Sequence, residues 1–102
     1  MDAGSVKAQL EELGATIEVN EQGEIDSVSL MNAQITDTGL VHIEGLTSLQ
    51  TLNLWYTQIT EAGLAHLAGL TDLQWLYLSG TQVTDAGVAK LKEALPSCQI
   101  DH

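Results

Sequence analysis

The chain has 102 residues, enough for one domain with a modest core, and 44% of them are apolar, which excludes wholesale disorder. Fourteen acids face three lysines and no arginine, giving a formal charge of −11. Such a balance argues against nucleic acid and anionic membranes as partners, because both are negatively charged. The one cysteine, Cys98, leaves no intrachain disulfide. Met1-Asp-Ala-Gly-Ser lacks the basic start of a secretory signal and no apolar run approaches a membrane span, so a cytoplasmic location is expected.

The spacing of Val6, Leu10 and Leu13 predicts a helix over 5–13, with Ser5 as its N-cap and Gly14 in the left-handed position that ends it. Thr16-Ile-Glu-Val19 alternates like a strand. Asn20-Glu-Gln-Gly23 carries turn chemistry, and Glu24 to Leu30 alternates again. Together they read as a hairpin. Helix and hairpin form an N-terminal cap, whose first strand is expected to pair antiparallel with the next and to cover an open sheet edge.

The rest of the chain repeats itself. Ile25-Asp-Ser-Val28-Ser-Leu30, Leu49-Gln-Thr-Leu52-Asn-Leu54 and Leu73-Gln-Trp-Leu76-Tyr-Leu78 start 24 residues apart. Each leads into Ile35-Thr-Asp, Ile59-Thr-Glu or Val83-Thr-Asp. A fixed period of this size indicates stacked structural units. Within each unit the last two apolar positions of the strand share an inward face. Thr36, Thr60 and Thr84 are placed to cap helices, and Asp37, Glu61 and Asp85 follow where an acid suits the positive end of the helix dipole. Leu40/Ile43, Leu64/Leu67 and Val88/Leu91 supply one buried helix stripe. Gly45 and Gly69 mark the ends of the first two helices, and Gly39, Gly63 and Gly87 suit close packing between units. The third unit carries one extra residue in Lys92-Glu-Ala-Leu95, then Pro96, and Cys98-Gln-Ile100 is expected to form a final short strand.

The pattern Leu-x-x-Leu-x-Leu-x-x-Thr-x-Ile-Thr-x-x-Gly-Leu resembles a leucine-rich repeat. Its Ile-Thr-Asp-x-Gly-Leu half resembles the bacterial and cysteine-containing subclass. The resemblance covers residues 25–100, and it departs from the family at Ala33, Thr57 and Thr81, where asparagine or cysteine is usual. It implies a short right-handed α/β solenoid with parallel strands on a concave face, helices on the convex face and a leucine core between. It also implies that Thr57 and Thr81 are buried, with hydroxyls bonded to loop backbone. The expected organisation is a single domain over 1–102, with a cap over 1–24, repeats over 25–48, 49–72 and 73–97, and a C-terminal strand cap over 98–102.

Outward strand positions then line the concave face: Ser27, Ser29 and Met31; Thr51, Asn53 and Trp55; Trp75, Tyr77 and Ser79. Tyr56 is expected at the rim. All four aromatic residues therefore fall in or beside one surface, although the core positions hold leucine, isoleucine and valine. Exposed tryptophan and tyrosine are the residue types that most often dominate binding energy. The plainer reading is that the rings only cover one another across strands.

Other constellations are weaker. His42 and His66 recur one repeat apart with Glu44 nearby, but without the ligand spacing of a metal motif they read as a solvated helix face. The column Asp37, Glu61 and Asp85 resembles a calcium ladder only superficially, since each acid already suits its helix start. Glu18, Glu21, Glu24 and Asp26 read as a solvated edge rather than a docking site for a basic partner. No nucleophile elbow or phosphate loop is present, Cys98 reads as buried filler, and the terminal His102 is expected to be mobile.

The sequence thus reads as a non-catalytic binding module without metal or cofactor. It would engage a protein or peptide through the apolar anchors Met31, Trp55, Trp75 and Tyr77, the rim residue Tyr56, and the orienting polar residues Thr51 and Asn53. Affinity is expected to depend only mildly on salt. The alternative is a structural or self-associating unit, as a homodimer or as a segment of a longer solenoid.

Overall fold

The structure, a computed structural model, describes residues 3–102, with side chains from Val6 onward. The sequence reading of Met1 and Asp2 lies outside the described residues. Helix α1 spans Ala3–Glu12 and starts ahead of Ser5, which therefore lies in its first turn rather than at its cap. Gly14 ends the turn at φ +96°, while the Ala15 N–H donates to the Leu10 carbonyl at 3.0 Å. A left-handed residue costs glycine little, which explains its use here.

Strand β1 (Thr16–Val19) returns antiparallel against β2 (Ile25–Ser29), with a register shift at Glu18/Val19. The hairpin turn is built by Asn20, whose Oδ1 accepts from the N–H groups of Gln22 and Glu24, both at 2.9 Å, and by Gly23 at φ +79°. From β2 the sheet grows in parallel through β3 (Thr51–Asn53), β4 (Trp75–Tyr77) and β5 (Gln99–Asp101), in the order β1-β2-β3-β4-β5. Every parallel pair is offset by one repeat: Val28 faces Leu52, Leu52 faces Leu76 and Leu76 faces Ile100. The extra residue of the third unit is absorbed before β5. Cys98 takes the buried slot, 1% exposed, and the pairing register is restored one residue later.

The core is a single aliphatic column. Val28, Leu30, Leu52, Leu54, Leu76 and Leu78 enter it from the sheet, and Leu40, Ile43, Leu64, Leu67 and Leu91 from the opposite layer. Each fully buried leucine contributes roughly 1.5–3 kcal/mol relative to exposure. Thr57 and Thr81 donate their hydroxyls to the Leu54 and Leu78 carbonyls at 2.8 and 2.6 Å, so each of these two loop carbonyls has a partner.

The helix layer departs from the uniform plan. The first repeat forms only a 3-10 helix at Asp37–His42, the second a single α-turn, α2 (Glu61–Leu64), and the third a full helix, α3 (Asp85–Ala94). Gly45 and Gly69 therefore sit in turns well past the helical residues. Thr60 and Thr84 cap as expected, accepting from Ala62 and Gly87 N–H at 3.3 Å, whereas Thr36 makes no cap bond. Asp37 also does more than complement a dipole. Its two oxygens accept from the N–H and hydroxyl of Thr60 at 2.7 and 2.5 Å, fastening the first repeat to the second. A Cβ at Gly63 would collide with this carboxylate, and one at Gly87 would meet Glu61 Cγ at 2.6 Å. Close approach between units thus accounts for both glycines.

Candidate functional site

Strand alternation turns two columns of side chains away from the core. One runs Ser27, Thr51, Trp75, Gln99; the other runs Ser29, Asn53, Tyr77, Asp101. On the far side of β2, Glu18 stands opposite Ser27 and Thr16 opposite Ser29, so both join the same face. The parallel pairing continues past the strands, where the Asn32 N–H donates to the Trp55 carbonyl and the Tyr56 N–H to the Ser79 carbonyl, at 2.9 and 3.0 Å. This brings Met31, Trp55 and Ser79 level with one another.

None of the four aromatic rings belongs to the buried core. Trp55 and Tyr77 are half-buried against each other, with ring centroids 5.4 Å apart and planes at 75°, an edge-to-face pair. Trp55 and Tyr56 lie 6.4 Å apart, tilted by 55°. Trp75 is 47% exposed and Met31 45%. The seven nominated residues are thus distributed over one face, but not equivalently. Asn53 Oδ1 accepts from the Trp55 backbone N–H at 2.9 Å, which fixes the side-chain amide on this face. The rings do cover one another in part, and Tyr56 and Trp75 are the two left most open.

Two features escaped the sequence reading. The first is Asp101, whose Oδ2 accepts from the Trp55 indole N–H at 3.1 Å and so clamps that ring. Extending the period of Trp75 and Tyr77 by one more repeat lands on Gln99 and Asp101, so a signal existed. The second is the backbone at Tyr56. Its φ is +59°, at the position that Asn32 (φ 64°) and Gly80 (φ +80°) occupy in the neighbouring repeats. Asparagine and glycine accept this conformation readily, and a bulky residue does not. The Tyr56 ring rests where a Cβ on Gly80 would be, and the side chain is 60% exposed. Tyr56 is thus a strained, exposed aromatic at the edge of the aromatic cluster.

The remaining constellations have local partners. His66 Nδ1 lies 2.6 Å from Glu44 Oε2, and among the described residues no group of three metal-ligating side chains comes together. Asp37 is engaged by Thr60, and Asp85 lies 3.1 Å from His102 Nδ1. His102 Nε2 also lies 2.7 Å from the Val83 carbonyl. Cys98 is buried, and burial pushes its thiol pKa up against a smaller opposing pull from Lys92, which suits filler rather than a nucleophile. Among the described residues no helix is long and apolar enough to cross a membrane.

A stack of parallel strands at a constant repeat, facing a layer of short helices across an aliphatic column, defines a repeat solenoid. The leucine-rich repeat family model matches residues 24–83, more than half of the sequence, and the chain belongs to that family, whose domains generally serve protein interaction. A leucine-rich-repeat protein of Leptospira interrogans is 28% identical over 61% of this chain, with a TM-score of 0.51, and the match covers 16% of that protein. The chain therefore spans about one sixth of that relative. A structure of Chaetomium Mex67:Mtr2 subunits aligns with 98% of this chain and 72% of its own at 23% identity and a TM-score of 0.65, a likeness of fold. No curated protein matches the chain by sequence.

Proposed function

We propose that the chain is a non-catalytic module that binds a protein or peptide on its outward strand face. Met31, Trp55, Trp75 and Tyr77 are the apolar anchors, Tyr56 a rim contact, and Thr51 and Asn53 the polar positions that orient the partner. The observation that carries this reading is the segregation of residue types. An aliphatic core is complete without aromatics, yet every aromatic ring lies on or beside one sheet face. Three such rings approach the few hundred Å² at which an apolar patch signifies interaction. In this reading residues 1–24 and 98–102 act as caps on the repeats 25–48, 49–72 and 73–97, since α1 and β1 cover one end of the column and β5 the other.

The test is a pull-down comparing the native chain with a Trp55→Ser/Trp75→Ser variant whose circular dichroism confirms folding. Loss of the captured partners is expected, and an unchanged set would refute the strand-face site. The exposure of Met31 and Trp75 also suits a second copy of the chain. Light scattering separates the two readings: a monomer with red-shifted tryptophan emission supports a vacant ligand face, and a dimer with shielded emission supports self-association.

A further inference from the structure

Among the described residues the outward strand face carries carboxylates and no cation. Glu18 stands at its N-terminal side and Asp101 at its C-terminal side. All three lysines lie instead on helices, Lys7 in α1 and Lys90 and Lys92 in α3, and Lys92 is committed to the Cys98 carbonyl. The formal charge of −11 has the same sign as these two carboxylates. Between the two carboxylates stand Trp75, Tyr77 and Trp55, whose faces are negative by virtue of their π-systems.

Asp101 makes this arrangement more than an apolar patch. It is paired with Tyr77 across β4 and β5, which places it about 4.8 Å along the hydrogen-bonding direction. It lies diagonal to Trp75 on the same face. One of its oxygens accepts the Trp55 indole N–H. That bond holds the ring upright against Tyr77 and, by drawing the indole proton toward an anion, enriches the ring's π-face. A cation seated on the rings therefore meets aromatic faces and a carboxylate together. A guanidinium matches both at once, because it is planar, weakly hydrated and forked toward carboxylates.

We propose that the partner segment presents an arginine flanked by apolar residues to this face, with the guanidinium stacked over Trp75 and Tyr77 and paired with Asp101. The inference rests on the strand-face reading and names the chemistry of its partner. It also replaces the expectation of mild salt dependence, which considered the aromatic residues without Asp101.

The experiment uses the full chain labelled with nitrogen-15 and three pools of nonapeptides. The pools are randomised among Leu, Val, Ser and Thr, with the central residue set as Arg, as its neutral isostere citrulline, or as Glu. The indole N–H resonances of Trp55 and Trp75 report occupancy of the face directly. The Arg pool is expected to shift both resonances and to bind at least about tenfold more tightly than the citrulline pool, with the Glu pool weakest. Asp101→Asn, whose amide oxygen still accepts the Trp55 N–H, is expected to close most of that gap by weakening the Arg pool far more than the citrulline pool. Equal binding of the Arg and citrulline pools, a gap that survives Asp101→Asn, or preference for Glu overturns the proposal. In those cases shifted indole resonances leave the strand-face reading standing. Silence from every pool at millimolar concentration overturns both.

Discussion

The strand side and the helix side of this molecule obey the same period with different fidelity. Along the sheet, β2 to β5 hold one offset throughout, and Val28, Leu52, Leu76 and Ile100 stand level. Opposite them, equivalent segments make a six-residue 3-10 helix, a four-residue α-turn and a ten-residue helix. The difference follows from what joins the units. Strands are coupled by backbone hydrogen bonds that admit only whole-register steps. Helical segments meet mainly through side chains, and any local shape that buries the aliphatic stripe is acceptable. Function is better placed on the side whose spacing is invariant, because side chains there keep a set distance from one repeat to the next.

The comparison can be broken most forcefully at Leu52, which is fully buried between Val28 and Leu76. Leu52→Ala is expected to lower unfolding free energy by about 2–5 kcal/mol, measured in urea. A loss near that of an exposed site would contradict a continuous column.

On the helix side two glycines at different positions of the period should part company. Gly63→Ala forces a methyl into Asp37 and, at 2.8 Å, the Leu40 Cδ1, and should cost about 1–3 kcal/mol. A methyl on Gly45 meets nothing within 4 Å, and its φ is not positive. Gly45→Ala should therefore be neutral or stabilising by up to about 1 kcal/mol. Equal effects at the two sites would remove the packing explanation for Gly63.

A smaller effect sharpens the comparison on the strand side. Tyr56→Asn keeps a residue that tolerates φ +59° and trades the ring's contact with Gly80 for relief of strain. Its thermal stability should move by less than about 1 kcal/mol in either direction, while capture of a strand-face partner falls several-fold. A large stability loss with unchanged capture would make Tyr56 a structural residue.

The smallest effect near neutral pH belongs to Cys98. Its folded thiol holds the proton to higher pH than an unfolded one, which titrates near 8.5. The unfolded state therefore ionises first, and stability should decline as pH rises above about 8.5 until the folded thiol also ionises. Urea melts at stepped pH should show a shallower decline for Cys98→Ser than for the native chain.

Much of this was legible from residue order. A period of 24 combined with strand alternation assigns inward and outward positions without reference to coordinates, so the leucine column and the outward placement of Trp55, Trp75 and Tyr77 followed directly. These properties are local or periodic, and periodicity survives folding unchanged. The burial expected of Thr57 and Thr81 came from the family resemblance, and it holds for Thr57 while Thr81 is only half-buried.

Only the tertiary structure decided the contacts that depend on how side chains from different repeats meet. The Trp55–Asp101 bond joins residues 46 apart, and the Asp37–Thr60 clasp joins residues 23 apart. The left-handed Tyr56 over Gly80 and the unequal helical segments belong with them. The physical reason is the same in each case. Residue spacing specifies which positions become neighbours, whereas rotamer, backbone strain and the space left by packing specify what those neighbours do.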